Sequence, residues 1–136
     1  MEFNVKTNLG EYDLEAYGRF VGNSLLIAIW GGERPHIGAV AVAQPRPSLK
    51  DPKMTSASVS VICLLGHKED DIAKACSEVL SSALNADVVV TAGIHWDNLN
   101  ANDINKVISN AEILLDLILE RISLISPSPK ENLRQL

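Results

Sequence analysis

Aromatic side chains are scarce: two Phe, two Tyr and two Trp make up 4% of the 136 residues. Any core built from this chain is therefore aliphatic, and each tryptophan is conspicuous. Two cysteines cannot supply the disulfide framework of a small secreted domain. Cys63 and Cys76 both fall at apolar positions of the pattern, so the expectation is a pair of buried, reduced thiols. No stretch approaches the ~20 apolar residues that cross a bilayer. The start, Met1-Glu2-Phe3-Asn4-Val5-Lys6, has neither the basic opening nor the apolar run of a secretory leader, so a soluble cytoplasmic protein is expected. Basic excess is missing too: twelve Lys and Arg against seventeen Asp and Glu leave a net charge of −5. Non-specific nucleic-acid binding needs a cationic face that releases counterions, and this balance argues against it. A few local cations still suffice for a small anionic ligand.

Hydrophobic residues form 46% of the chain, enough for one core, and the length fits one domain. The first part reads as strands: 3–9, ending at Gly10; 12–20; the apolar run 25–30 after the turn signal Gly22-Asn23; 36–43, whose small residues suit a central strand; and 56–65. Pro45, Pro47 and Pro52 mark a loop of about ten residues, long by the usual statistics. In the last of these strands Val59, Val61, Cys63 and Leu65 share one face, with Ser58 and Ser60 on the other. The period then changes. Ile72, Ala75, Cys76, Val79, Leu80, Ala83 and Leu84 have helical spacing over 69–84, with Asn85 as the stop. Residues 86–92 form a β-branched strand that Gly93 ends. A second helix starts near Asn100 or Asn102 and runs to about 123. Its apolar residues extend well around its circumference, which leaves two readings: a fully buried helix, or one shared with a partner subunit. The expected architecture is an α+β domain over 1–125, a mostly antiparallel sheet with two helices packed on one face in the order β-β-β-β-β-α-β-α. Residues 126–136 read as a flexible polar tail.

Three glycine-flanked segments concentrate the polar chemistry at predicted strand ends: Gly31-Gly32-Glu33-Arg34-Pro35-His36-Ile37-Gly38, Gly66-His67-Lys68-Glu69 and Gly93-Ile94-His95-Trp96-Asp97-Asn98. They hold all three histidines and Trp96, and Trp30 abuts the first. The histidines lie about thirty residues apart with no close-spaced pair, so nothing local enforces a metal site. No Gly-x-Ser-x-Gly elbow and no Gly-x-Gly-x-x-Gly fingerprint is present. The consecutive acids Glu69, Asp70 and Asp71 open a helix, where they complement its dipole. A phosphate would more readily meet the Gly31-Gly32 backbone, Arg34 and Lys68, and Trp96 and Trp30 offer an apolar wall to a flat ring. Together the loops suit a planar anionic ligand and supply no reaction mechanism.

The blocks G-E-R-P-H-I-G-A-V-A-V-A (from Gly32), G-H-K-E (from Gly66) and A-G-I-H-W-D-N (from Ala92) resemble, in order and spacing, the small prenylated-flavin chaperone LpdD-like proteins. The resemblance spans roughly residues 4–119. It implies a non-enzymatic carrier that binds reduced prenylated FMN and helps deliver it to a UbiD-type (de)carboxylase, with a flavin prenyltransferase as the source. It also implies a fold like that of dimer-forming proteasome-assembly chaperones. His36, His67, Lys68, His95, Asp97 and Asn98 lie within the shared blocks. The candidate cofactor-binding set is then Gly31, Gly32, Arg34, His36, Gly38, His67, Lys68, Gly93, His95, Trp96, Asp97 and Asn98, with no catalytic or metal-ligating residue. A homodimer is expected, and neither nucleic acid nor membrane as a partner. Two other classes compete: a protein-assembly module without a small ligand, and a small metal-assisted enzyme.

Overall fold

The computed structural model describes residues 1–64 and 69–125. The expected tail 126–136, the end of the fifth strand at Leu65, and the segment Gly66-His67-Lys68 lie outside them. Eight elements follow in order: β1 (Glu2–Lys6), β2 (Leu14–Val21), β3 (Ser24–Gly32), β4 (Ala39–Pro47), β5 (Thr55–Cys63), α1 (Asp70–Leu84), β6 (Val88–His95) and α2 (Ala101–Ile125). The strands form one sheet in the order β1-β2-β3-β6-β4-β5. All neighbours are antiparallel except β3 and β6, which run parallel from Leu25↔Val88 to Gly32↔His95. The expected α+β architecture is the one observed.

Alternation decides which face is core. Leu14, Ala16, Leu25, Ile27, Ile29, Ala39, Ala41, Ala43, Val88, Val90 and Ala92 project inward and are buried. Helix α1 covers β4, β5 and β6, and α2 covers β1 and β2. The alanines of β4 let α1 approach the sheet closely. Asn110 of α2 anchors the other half by donating its side-chain N–H groups to the Glu11 and Tyr12 carbonyls at 2.9 and 2.8 Å. Asn100 and Asp103 start α2 with a reciprocal capping box: each side-chain oxygen accepts the other's backbone N–H, at 2.9 and 3.1 Å. Asn85 closes α1 in the left-handed conformation at φ 49°.

Several boundaries differ from expectation for identifiable reasons. Strand β4 runs through Pro45 and Pro47, so the loop shrinks. Its pairing with β6 stops at Ala43, and beyond that point one side of β4 has no neighbour that needs an N–H. Conversely, His36, Ile37 and Gly38 precede β4 rather than opening it. Strand β6 continues through Gly93 to His95 because β3 extends beside it to Gly32. In β5 the alternation holds, but β5 is an edge strand. Val61 and Cys63 face the helix side and are still exposed, which corrects the expectation of a buried Cys63. Cys76 is buried, and burial pushes its thiol up to about 12. Helix α2 is not fully buried in the single chain: Val107, Ala111, Leu114, Ile118 and Ile122 face the core, whereas Ile104, Ile108, Ile113 and Leu124 face out.

The opposite sheet face carries no helix. Leu26, Val42 and Ile62 lie exposed on it, with Ala28, Trp30, Val40, Val89 and Thr91 half-buried.

Leu114 is wholly buried. Leu114→Ala is expected to cost about 3 kcal/mol in urea unfolding, and Ile108→Ala, on the exposed side of the same helix, within about 0.5 kcal/mol.

Candidate functional site

The segments around Gly31–Gly38 and Gly93–Asn98 meet at the carboxyl ends of the parallel pair β3 and β6. That is where open sheets with parallel strands place ligands. Strand β6 lies between β3 and β4, so the connection 33–38 must cross the end of β6 to reach β4. It crosses on Gly93: a Cβ there would meet the His36 carbonyl and the Ile37 nitrogen. Glycine is therefore required at 93 by close approach of another backbone. Gly38 donates its N–H to the Ala92 carbonyl at 2.9 Å, and a Cβ on it would strike the Glu69 carboxylate. Gly32 has φ 92°, and Glu33 then donates its N–H to the His95 carbonyl at 2.7 Å.

Glu69 is the residue that sequence reasoning placed wrongly. It precedes α1 but makes no side-chain cap; Asp70 and Asp71 alone occupy the first turn. At 8% exposure its carboxylate instead turns into the sheet end. Oε1 accepts the Ile94 N–H at 3.1 Å and lies 3.0 Å from His36 Nε2. His36 Nδ1 donates to the Arg34 carbonyl at 2.8 Å. Both ring nitrogens therefore face acceptors. One carboxylate thus ties the start of α1, the crossing loop and β6 together. Its sequence signal was weak, because a glutamate before a helix ordinarily serves the dipole.

The outer side of the site is polar and exposed. His95 Nε2 bonds Asp97 Oδ1 at 2.8 Å. Arg34 Nη2 stands 3.4 Å from both Asp97 oxygens, and Asp97 donates its N–H to Glu33 at 3.4 Å. The His95 hydrogen bond, and then the Arg34 charge, hold the Asp97 carboxyl below the usual carboxylate range. Asn98 takes a left-handed φ of 59° in the turn toward α2.

The two tryptophans sit in different surroundings. Trp96 packs edge-on against Tyr12, ring centroids 5.1 Å apart, and lies over Gly31 and Gly32. It is partly buried and packs against the core. Trp30 points to the helix-free face instead. There it lines an open pocket of about 250 Å³ with Lys6, Asp13, Glu15, Gly31, Gly32 and Pro35. Lys6 and Glu15 reach this pocket from β1 and β2, far from the glycine motifs in sequence. Asp13 is committed elsewhere. It accepts from the Thr7 hydroxyl and the Leu9 and Gly10 N–H groups, which hold its carboxyl low.

Of the candidate residues, Gly31, Gly32, Arg34, His36, Gly38, Gly93, His95, Trp96, Asp97 and Asn98 gather at this sheet end; His67 and Lys68 lie outside the described residues. Among the described residues, no group of three or more His, Cys, Asp or Glu side chains is placed to hold a metal ion. Among them, too, no helix is long and apolar enough to cross a membrane.

A six-stranded sheet with both helices on one face is also the fold of a chain in the crystal structure of a novel chaperone complex for yeast 20S proteasome assembly. The similarity covers 91% of this chain and 95% of that one, with a TM-score of 0.57 and 13% identity. The sequence model of the prenylated flavin chaperone LpdD-like domain matches residues 8–123, and the chain belongs to that family. Among curated protein sequences none matches it.

Because Asp97 is held low mainly by His95, His95→Ala is expected to raise its pKa more than Arg34→Ala does, as read by carboxyl-carbon NMR titration. A carboxylate whose folded pKa is depressed contributes stability above its unfolded value near ~3.9, and loses it as pH falls through the folded value. The stability gap between wild type and His95→Ala is therefore full above about pH 5 and closes in stronger acid.

Proposed function

We propose that this chain binds reduced prenylated FMN as cargo, shields it, and passes it to a UbiD-type (de)carboxylase. It is a carrier and catalyses no reaction itself. A flavin prenyltransferase supplies the cargo, both enzymes are its partners, and the exchange takes place in the cytoplasm between homodimeric carriers and their clients. The observation that carries this reading is the family match over residues 8–123. The geometry supports it. Arg34 is 70% exposed, and its 3.4 Å contact with Asp97 is of the surface kind worth at most about 1 kcal/mol. Its guanidinium can therefore turn to a phosphate without a large loss. Trp30 offers a half-buried ring beside the Gly31-Gly32 backbone. Imidazoles, backbone amides and one or two cations make a site of moderate strength, which suits a protein that must release what it holds.

The fold shared with an assembly-chaperone chain favours a second reading: a protein-assembly module with no small ligand. One experiment separates the two. The purified protein is mixed anaerobically with reduced prenylated FMN, desalted, and examined by absorbance and mass. Retention of the prenylated flavin with loss of plain FMN is the expected outcome. His95→Ala is expected to weaken retention about tenfold, the loss of one charge-assisted contact, and His36→Ala to weaken it by releasing the crossing loop 33–38 that carries Arg34. Loss of both flavins by the wild-type protein would reject the carrier reading and favour the assembly module. Unchanged affinity in both variants would reject the site.

A further inference from the structure

The sheet has two edges of unlike character. At one of them β1 is five residues long and carries Glu2 and Lys6, with Glu2 bonded to Arg19 and Tyr17. Short, charged edges resist further pairing. At the other, β5 is nine residues long and reads Thr-Ser-Ala-Ser-Val-Ser-Val-Ile-Cys, without a charge, a proline or a glycine. It pairs with β4, and among the described residues no strand lies on its other side.

The β4–β5 ladder decides which backbone groups are left over. Its two ends are closed by Ser48 donating to the Met54 carbonyl and Leu64 donating to the Gly38 carbonyl, each at 2.8 Å. Bonded residues recur at every second position of an antiparallel pair. The even positions from Met54 to Leu64 therefore turn their N–H and C=O groups to β4. Thr55, Ala57, Val59 and Val61 turn theirs outward, a row of donors and acceptors that is a template for one more strand. Apolar side chains accompany it: Val61 is 36% exposed and Ile62, on the opposite face, 65%.

The two ends of this edge carry opposite charge. Arg46, Lys50 and Lys53 lie in or beside the turn 48–54. Arg46 reaches across to the Ser58 hydroxyl at 2.8 Å, and Asp51 in the same turn accepts the Lys53 N–H. At the far end stands the acidic start of α1, Asp70 and Asp71, with Asp70 close enough for its charge to act on the Cys63 thiol.

We infer that the β5 edge receives an extended segment of another protein as a seventh strand, antiparallel to β5. The segment has an uncharged β-branched middle. Its N-terminal end is basic and lies beside Asp70 and Asp71; its C-terminal end is acidic and lies beside Lys50 and Lys53. Antiparallel addition gives the more stable ladder per residue. Main-chain bonds supply the affinity of such an addition, and the flanking side chains its specificity. A second copy of this chain, joined through the same edge, would make an open sheet of twelve strands. That exceeds the ~10 that twisted open sheets ordinarily reach, whereas one added strand does not. The inference does not depend on the cargo reading.

The probe is a synthetic peptide, acetyl-Lys-Val-Thr-Val-Thr-Val-Glu-Glu-amide, added to the full chain and followed by residue-resolved amide hydrogen exchange. At saturating peptide the Ala57, Val59 and Val61 amides are expected to exchange at least about tenfold more slowly. Ser58 and Ser60, already bonded to β4, should change little. The charge-reversed peptide, acetyl-Glu-Val-Thr-Val-Thr-Val-Lys-Lys-amide, is expected to bind about tenfold more weakly, and the first peptide to lose as much on the double variant Lys50→Glu, Lys53→Glu. Val61→Pro removes an outward donor, spares the β4 ladder and should abolish binding. Circular dichroism checks folding, and if Val61→Pro unfolds, the lysine variant decides. No slowing at millimolar peptide would overturn the inference. So would equal slowing at odd and even positions, which is general stabilisation, or equal binding of the two peptides. Light scattering without peptide covers the other occupant: a wild-type mass that falls in Val61→Pro would give the edge to a second copy and overturn the inference as well. Flavin retention should be unchanged in Val61→Pro, so the carrier reading and the strand addition stand or fall separately.

Discussion

The structure depends on the insertion of β6 between β3 and β4. The chain leaves β3 and must begin β4 two strand spacings away, ~9.5 Å, with β6 in the gap. Only the end of β6 is available for the crossing, and only a residue without a side chain admits it. Gly93 is that residue, with the His36 carbonyl seated against it. Once the loop lies there, His36 faces Glu69, Gly38 is hemmed in by the same carboxylate, and the first residues of α1 are fixed to the sheet. A topological requirement has thus been converted into a cluster of close contacts at one end of the fold.

That cluster divides into two layers of different strength. The inner layer, Glu69 with His36 and the Ile94 amide, is largely withdrawn from water. Opening it would leave a buried carboxylate short of donors, at a cost of ~1–3 kcal/mol or more. The outer layer, Arg34 with Asp97 and His95, is exposed, and its contacts exchange with solvent at little cost. The inner layer keeps the crossing loop in one conformation, so the outer groups are presented rather than collapsed. A binding surface needs both: a rigid support, and polar groups not already spent on the fold.

Local pattern made most of the fold legible. The alternation of Leu25–Trp30, the helical spacing from Ile72 to Leu84 and the cap at Asn100 are short-range signals, and each marks a real element. The glycine blocks pointed to the converging segments because close backbone approach leaves a mark in sequence. What could not be read is non-local. Nothing within β6 says that it enters beside β3, and that neighbour is why it runs through Gly93. Pro45 and Pro47 read as loop because proline normally ends pairing, yet β4 has outrun β6 on that side. Trp96 stands in a polar segment, and nothing local shows that Tyr12, distant in sequence, packs edge-on against it. Glu69 was hidden by its two acidic neighbours, which do what such residues usually do.

The proposed carrier role places opposite demands on one pocket. An oxygen-sensitive ring has to be excluded from solvent, yet it must leave without the protein unfolding. An enclosed cavity within one core meets the first demand and fails the second, because close-packed interiors open only by disrupting their contacts. A half-pocket on a sheet face meets both if its roof is another molecule. Closure then depends on an association whose free energy is tunable through concentration and partner, and a client enzyme that offers a better roof can displace the first one.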